Sequence, residues 1–191
     1  DHHDPRYGSR YDNHWIRKVT VEKTVGRKTS KQSVILLCNH CDNPPCAQVC
    51  PVQATYKRHD GIVIVDHHRC IGCRYCMIAC PYNARMFTFK DIHDDEDTPE
   101  VHEGWPNKER PKRSHGVAEA CNLCAHRLDV TGPDGEPTQL PYCVEACQKK
   151  NDGQGALIVG DLNDQDSEIS KKIAENPVKR IRDDLGTEPK V

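Results

Sequence analysis

The stretch CNHCDNPPCAQVCP, residues 38–51, places four cysteines within thirteen residues and follows the last of them with proline. A second stretch, CIGCRYCMIACP at residues 70–81, begins twenty residues after Cys50 and contains four more cysteines with the same Cys-Pro ending. Two related runs of this density indicate that the chain is built around cysteine-bound metal and that this region contains an internal duplication.

The second run has the spacing of bacterial two-cluster ferredoxins, C-x2-C-x2-C-x3-C-P. In that pattern three successive thiolates bind one [4Fe–4S] cube and the fourth ligates the other cube. The first run has the same order with two residues inserted, and the proline after each run turns the chain toward the other site. This crossing rule predicts a first cluster bound by Cys38, Cys41, Cys46 and Cys80, and a second bound by Cys70, Cys73, Cys76 and Cys50.

Two other cysteine chemistries explain these runs less well. Disulfide bonds between cysteines as close as Cys70, Cys73 and Cys76 strain the bridge geometry. Zinc takes four ligands at tetrahedral corners, commonly as two pairs, and does not need three successive thiolates around one object. We therefore predict iron–sulfur clusters for these eight cysteines, with a structural or nucleic-acid-binding zinc protein as the alternative.

The last four cysteines are spaced differently from the first eight. Their pattern is C-x2-C-x18-C-x3-C, and Gln148 stands where the other runs have proline. Because two separated cysteine pairs also suit zinc, the pattern leaves the metal open. We predict a third [4Fe–4S] cluster, with zinc or a [3Fe–4S] cluster as the alternative. Its ligands would be Cys121, Cys124, Cys143 and Cys147.

The composition describes a chain that needs more than an apolar core to fold. Only 36% of its 191 residues are apolar, and that share includes 12 cysteines, so metals or cross-links are expected to stabilise it. A net charge of -2 indicates neither a nucleic acid nor an anionic membrane as partner. No apolar run approaches the ~18 residues of a membrane span. The sequence starts at Asp1, so we expect that it has been processed and that any targeting signal is not visible.

These patterns predict an α+β fold, ferredoxin-like, with duplicated Cys-rich cluster-binding units, short β-hairpins and long loop insertions. A turn signal at residues 59–61 between two β-prone arms predicts a hairpin at 54–65. About one helical turn is expected at each of 46–50 and 76–80, and a strand at 84–89.

Outside that core, residues 15–21 and 156–159 are predicted to form strands. A helix capped by Asp166 or Ser167 is predicted to end near Glu175, before a proline. The predicted segments are an N-terminal extension (1–33), a two-cluster core (34–90), a charged surface insert (91–116), a third cluster-binding region (117–162), and a short helix with an extended C-terminal arm (163–191).

Basic residues near each cysteine run are candidates for tuning cluster potential, which depends on net charge, hydrogen bonds and exposure. The alternative is that most of them only solvate the surface. His40 and His126 adjoin ligand cysteines, and we expect them beside the ligands or at the surface rather than on the metal. The basic candidates are Lys57, Arg58, Arg69, Arg74, Arg85, Lys112, Arg113 and Arg127.

No catalytic residue is predicted. The sequence contains no recognisable nucleophile with an orienting base, no Gly-rich phosphate loop and no dinucleotide fingerprint. The chemistry that remains is one-electron transfer, with the clusters as relay stations. A reductase with its own substrate site, shaped by residues 90–113, is a further alternative.

Residues 34–188 resemble the ferredoxin-type electron-transfer subunits of molybdopterin oxidoreductases and related quinone-linked membrane complexes. The resemblance rests on the two cysteine runs, on KRSHGVAEACNLCAHR and on ALIVGDLNDQDSEISK. Polysulfide, nitrite and dimethyl sulfoxide reductase systems contain examples. Within the family, CNHCDNPPC and the ending LGTEPKV are most similar to the periplasmic DsrO-like subunits of a sulfur-metabolism membrane complex.

The resemblance implies a periplasmic subunit of a respiratory complex, exported in folded form by a twin-arginine signal. Its implied partners are an integral membrane quinone-interacting subunit, a cytochrome or a catalytic redox subunit. Typical members begin with a further C-x2-C-x2-C-x3-C run and hold four clusters. Either this protein holds three clusters, with Cys147 serving the third, or the first run lies upstream of Asp1 and Cys147 serves the missing cluster.

Overall fold

The computed structural model describes residues 14–89, 115–133, 135, 137–152 and 155–190. The described residues form two compact units. The first runs up to Cys121 and includes the chain end from Asp184, and the second is Asn122–Asp183. The predicted charged insert lies outside the described residues except for its last two positions. The division into five segments stays a prediction.

An antiparallel hairpin opens the first unit. Strand β1, Arg17–Val25, pairs with β2, Lys28–Leu36, and the turn between them has Gly26 at φ +62°. Most of its side chains are exposed, and hydroxyl pairs such as Thr20–Ser33 at 3.0 Å join the strands. We predicted only the beginning of β1. The polar β2 was missed because an exposed strand has no buried face to reveal its period.

The cysteine runs are held by two helical turns and a small hairpin. Helix α1, Pro45–Gln48, follows the first two cysteines of its run and contains the third, and it has proline at the first helical position, where a missing N–H costs nothing. Strands β3, Thr55–Lys57, and β4, Val63–Val65, pair antiparallel. Helix α2 is Tyr75–Ala79. The predicted hairpin and both predicted helical turns are therefore confirmed to within one or two residues at each end.

Strand β5, Met86–Phe87, lies inside the predicted strand at 84–89 but pairs with β6, Ala118–Glu119, across the insert. Glu119 is 1% exposed. Its carboxylate accepts from Thr88 Oγ1 at 2.7 Å and from Trp15 Nε1 at 3.1 Å, which satisfies a buried charge and ties three distant segments together. This pairing was not predicted, because the partner strand is only two residues long.

The C-terminal arm packs onto the first cysteine run. Asp42 N donates to Glu188 O at 3.0 Å, and Lys190 N donates to Asn39 O at 2.9 Å. Thr187 is buried, and its hydroxyl lies 2.5 Å from the Tyr82 hydroxyl. The arm predicted to be extended contains a short 3-10 helix, Asp183–Leu185, and its last residues dock on the loop that carries the first cysteines.

The second unit contains helices α3, Ala125–Leu128, α4, Tyr142–Lys150, and α5, Glu168–Glu175. Ser167 caps α5 by accepting from Ser170 N at 3.3 Å, as one of the two predicted capping residues. None of the described helices is long and apolar enough to cross a membrane.

The prediction of a strand at 156–159 was wrong, because these residues have no strand geometry. The backbone there bonds to a side chain instead, since Ala156 N donates to Cys147 Sγ at 3.2 Å. A short apolar run of this kind therefore predicted the partial burial of residues 157–159 but did not predict whether they pair with another strand.

Candidate metal centre

Four cysteine side chains line one pocket in the first unit. Three come from the first run and one, Cys80, comes from the second, which is the combination that the crossing rule predicts for one cluster. Cys80 is half-buried and the other three are buried. The remaining wall is largely apolar, with prolines, Val63 and Ala84. The four cysteines are Cys38, Cys41, Cys46 and Cys80.

Local sequence places these thiols. Pro44 and Pro45 start α1, and the helix carries Cys46 to the pocket as its second residue. His40, between the first two cysteines, has φ +41°, a left-handed conformation that bends the short ligand loop. Pro81, directly after Cys80, also lines the pocket. The inserted Pro-Pro pair therefore forms part of the site itself.

The second run brings its thiols near the first. Cys76 packs with Cys46, Val63 and Ala118 in one buried cluster. Burial raises the pKa of Cys76, which also lies within electrostatic range of Cys46, Cys70 and Cys73. Cys46 and Cys76 belong to different predicted clusters, so this contact is a point where the two predicted sites adjoin.

Backbone N–H groups donate to several of these sulfur atoms. Ala54 N donates to Cys50 Sγ at 3.2 Å and Thr55 N at 3.5 Å, while Ala118 N lies 3.5 Å from Cys70 Sγ. Burial opposes ionisation of Cys50, yet N–H donors from its own loop outweigh burial and lower the pKa of that thiol. Donors aimed at sulfur favour the thiolate, which is the form that binds metal.

One cation lies among the thiols. Arg85 is 3% exposed and lines the pocket. Its guanidinium donates from Nη2 to Cys46 Sγ at 3.1 Å and from Nη1 to Thr55 Oγ1 at 3.4 Å. Among the described residues, no carboxylate forms an ion pair with it. Because arginine stays charged when buried, this guanidinium needs an anion beside it.

The thiols and Arg85 affect each other's ionisation. Burial raises the pKa of Cys38 to about 12, and the positive charge of Arg85 opposes that rise. Metal binding must remove the protons from such thiols, so the charge of Arg85 favours the ligand form. In turn, the pKa of Arg85 is raised: burial acts against its charge, but the neighbouring Cys46, Cys38 and Cys76 outweigh burial.

His40 is buried and neutral at pH 7, because burial lowers its pKa to about 4. Its Nδ1 accepts from Val63 N at 3.0 Å, which puts the ring proton on Nε2. Nε2 is buried and has no hydrogen-bond partner among the described residues. His40 is therefore beside the ligands, as expected, whereas His126 is exposed and lies 6.1 Å from the Tyr142 ring.

Most of the other basic candidates have carboxylate or aromatic partners. Arg58 pairs with Asp60 at 2.8 Å, Arg69 with Asp66 at 3.4 Å, Lys57 with Asp42 at 2.5 Å, and Arg127 with Glu145 at 2.5 Å. Arg74 stacks over Phe87 at 5.4 Å. Lys112 and Arg113 lie outside the described residues. Proximity in sequence therefore did not distinguish Arg85 from the rest.

A second feature of the site was not anticipated from the sequence. Asp42, inside the first run, forms ion pairs with Lys57 at 2.5 Å and with Lys190 of the C-terminal arm at 2.8 Å. These lysines hold the pKa of Asp42 below its usual range. No local pattern signalled this contact, since Asp42 and Lys190 are separated by most of the chain.

The third set of cysteines is divided between the two units. Cys121 is in the first unit, buried with Cys38, Ala84 and Ala120. In the second unit, burial raises the pKa of Cys143, and Cys124 and Cys147 lie within its electrostatic range. The grouping of Cys121 with the other three stays a prediction.

The residues around the pocket fit a [4Fe–4S] cluster. They supply four thiols, apolar walls and a buried cation without a carboxylate, which together suit an anionic group larger than one ion. Among the described residues, no three His, Cys, Asp or Glu side chains are placed to hold a single metal ion.

Comparison with known proteins points the same way. Residues 32–93 match the sequence profile of a 4Fe-4S dicluster domain, which covers both cysteine runs. The chain is 35% identical over 195 residues to the menaquinone reductase iron–sulfur cluster-binding subunit of Nitratidesulfovibrio vulgaris, covering 93% of this chain and 71% of that protein. It is 30% identical over 206 residues to the arsenate respiratory reductase iron–sulfur subunit ArrB of a Shewanella species, covering 93% and 81%.

A third relative is longer. Identity reaches 49% over 183 residues with the Hdr-like menaquinol oxidoreductase iron–sulfur subunit 1 of Archaeoglobus fulgidus, covering 95% of this chain and 64% of that protein. This chain spans about half to two thirds of the length of several of the curated relatives it matches.

Proposed function

This chain belongs to the family of ferredoxin-type iron–sulfur subunits of quinone-linked and molybdopterin oxidoreductase complexes, and on that premise we propose that it relays single electrons within such a complex. The observation that carries the proposal is the pocket lined by four thiols from both cysteine runs and by Arg85. A [4Fe–4S] cluster bound there supplies a one-electron store.

The chain's own residues hold and shield the clusters. The proposed ligand sets are those of the crossing rule, with Cys80 completing the set of the first run and Cys50 that of the second. Backbone N–H groups donate to Cys50 and Cys70, and the walls of the first pocket are largely apolar. The N–H donors to Cys50 favour its thiolate form, and the apolar walls give the first site a low dielectric.

The third site is proposed as a [4Fe–4S] cluster on Cys121, Cys124, Cys143 and Cys147. Cys147 Sγ accepts from Ala156 N at 3.2 Å, as Cys50 Sγ does from Ala54 N, so these two proposed ligands share the same kind of backbone donor. Zinc or a [3Fe–4S] cluster at this third site is the outcome that metal analysis would distinguish. For the protein as a whole, a zinc protein is not favoured, because the family matches are to iron–sulfur proteins.

The proposed partners are redox proteins. The names of the relatives describe subunits of menaquinol, menaquinone and arsenate oxidoreductases. By that relationship, the chain would receive or deliver electrons through a quinone-interacting membrane subunit, a cytochrome or a catalytic subunit. A periplasmic location and membrane association through those partners belong to the same proposal, and the chain itself is assigned no catalytic residue.

The proposal is tested by measuring iron and acid-labile sulfide per chain and by recording EPR spectra of the dithionite-reduced protein. About twelve irons per chain and signals from several interacting S = 1/2 centres are expected for three cubanes. About eight irons with one zinc would assign the third site to zinc. A colourless protein without iron would overturn the proposed function.

A further inference from the structure

Among the described residues, one buried cation, Arg85, lies near thiols of both predicted cluster sites. Arg85 donates to Cys46, which belongs to the first predicted ligand set. Cys46 in turn belongs to one buried cluster with Cys76 of the second set. The guanidinium thus lies close to the place where the two sites adjoin.

The charge of Arg85 acts on thiols of both sets. It lies within electrostatic range of Cys38 and Cys46 of the first predicted set and of Cys76 of the second. Thr55 Oγ1, itself 3% exposed, accepts the second guanidinium hydrogen bond at 3.4 Å and holds the side chain in place. No carboxylate among the described residues offsets this charge, so its field is available to whatever anion the pocket holds.

We propose that Arg85 is a shared counter-charge that raises the reduction potentials of both clusters of the two-cluster core. The inference rests on the proposed function, since it concerns the clusters that this function requires. Arg85 is a positioning residue in this role: it ligates no metal, and it stabilises the state with one more electron at either site.

The physical reason is the sign and the burial of the charge. Reduction adds a negative charge to a site that is already anionic, and a fixed cation nearby offsets part of the cost. In a buried site the interaction is screened far less than at the surface. A cation near both sites also lowers the repulsion between electrons held on both, which favours passage from one to the other.

The chain offers a matched control in Arg69. It directly precedes Cys70, but its side chain is 64% exposed and pairs with Asp66 at 3.4 Å. Arg69→Gln removes the same unit of charge beside a ligand cysteine. Because solvent and Asp66 already screen that charge, we expect the reduced-to-oxidised ratio at a fixed potential to change less than twofold.

The experiment is an EPR-monitored redox titration of the purified iron-loaded chain and its variants. Arg85→Gln removes the charge, whereas Arg85→Lys retains it and gives up the two-pronged hydrogen bonding. In Arg85→Gln the reduced-to-oxidised ratio at a fixed potential should fall at least tenfold at both sites, equivalent to 59 mV for one electron. In Arg85→Lys both ratios should stay within a few-fold of wild type.

A second pair of variants tests the charge while keeping the arginine. Thr55→Asp places a carboxylate beside Nη1 and neutralises the guanidinium, and Thr55→Asn makes nearly the same change in shape without the charge. We expect Thr55→Asp to lower both potentials as Arg85→Gln does, and Thr55→Asn to leave both near wild type. If Arg85→Gln alone fails to retain iron, this pair still tests whether the charge of Arg85 raises both potentials.

Unchanged potentials in Arg85→Gln or Thr55→Asp would overturn the inference. A shift confined to the first site would also overturn it, because Arg85 would then act only as a local hydrogen-bond donor for Cys46. Loss of iron from both charge-removing variants would also overturn it, by assigning Arg85 to cluster retention. A wild-type chain without iron–sulfur clusters would instead overturn the proposed function, so the two failures are distinguishable.

Discussion

Arg85 in the first unit and Arg127 in the second each follow a predicted ligand cysteine and are largely buried, yet they differ in what neutralises them. Arg127 donates to Glu145 at 2.5 Å and to Gln139 at 3.2 Å, and it lies 4.0 Å above the Tyr142 ring. Arg85 has a thiol and a hydroxyl as acceptors and no carboxylate among the described residues. Glu145 offsets the charge of Arg127, although Arg127 Nη1 is buried without a hydrogen-bond partner among the described residues. No described carboxylate offsets the charge of Arg85.

The difference shows that closeness in sequence to a cysteine run does not determine the electrostatic role of a basic residue. A guanidinium with its own carboxylate contributes little net field at a distance and mainly orders its unit. One without a carboxylate couples the stability of the unit to the group that the thiols bind. The first unit should therefore depend on its metal more strongly than the second.

Removal of ligand cysteines should give the largest effects, because each variant is expected to lose a whole cluster. Cys80→Ser should abolish the cluster of the first run and Cys50→Ser that of the second, because each supplies a ligand to the opposite run. Iron content and EPR of the reduced variants measure the losses. Cys143→Ser should leave both of these clusters in place, and loss of the first-run cluster in Cys50→Ser but not in Cys80→Ser would refute the crossing.

Glycine substitutions should show how tightly each unit is built. A Cβ at Gly72 would lie 2.3 Å from Gly116 O, and its φ of +71° is unfavourable for other residues. Gly72→Ala should therefore lower the free energy of unfolding by about 1–3 kcal/mol. Denaturant unfolding of the iron-loaded chain measures this loss.

The matched variant in the second unit is Gly155→Ala. A Cβ there would approach the Gln148 side chain at 2.8 Å, and that side chain can rotate away. We expect a smaller loss of stability than for Gly72→Ala. A larger loss of stability in Gly155→Ala than in Gly72→Ala would mean that the ligand loop around Gly72 can move away from Gly116 O at little cost.

The variant Arg127→Gln tests whether Glu145 neutralises the charge of Arg127. Because Glu145 already offsets the charge of Arg127, the potential of the third site should change clearly less than the tenfold shift in reduced-to-oxidised ratio expected for Arg85→Gln. The same EPR titration measures both variants. A shift at the third site as large as that of Arg85→Gln at its own sites would show that Glu145 does not neutralise Arg127.

The smallest effect is expected at Asp42. Asp42→Asn removes two half-exposed ion pairs, with Lys57 and Lys190, of ~0.2–1 kcal/mol each. The amide of Lys190, which donates to Asn39 O, should then exchange hydrogen about two- to fivefold faster at pH 7. Glu145→Gln, in the other unit, should leave that exchange unchanged.

The pH dependence of the same contact has a definite sign. Because the pKa of Asp42 is lowered in the folded protein, its contribution is complete above the usual carboxyl range and is lost only as the pH falls below about 4. Protection of the Lys190 amide should therefore be constant between pH 7 and pH 5. A loss of protection within that interval would show that another group controls the docking of the arm.

Much of the core was predictable, and the errors are informative. The spacing around Cys70 predicted its helical turn and the residues around Gly61 predicted a hairpin, because both depend on short segments with strong local preferences. The strand expected at Ala156 was wrong, since its N–H bonds to Cys147 Sγ. The polar strand around Ser33 was missed, because it is exposed on nearly all sides.

The sequence by itself determined the kind of group that this protein holds, because a cubane takes three thiolates from one short loop and that spacing is visible in consecutive residues. Only the tertiary structure showed that Arg85 is buried against Cys46, that the Glu119 carboxylate is buried and that the C-terminal arm docks on the first cysteine run. Those contacts join residues that are distant in the chain, and their distances depend on how the elements pack rather than on any local period.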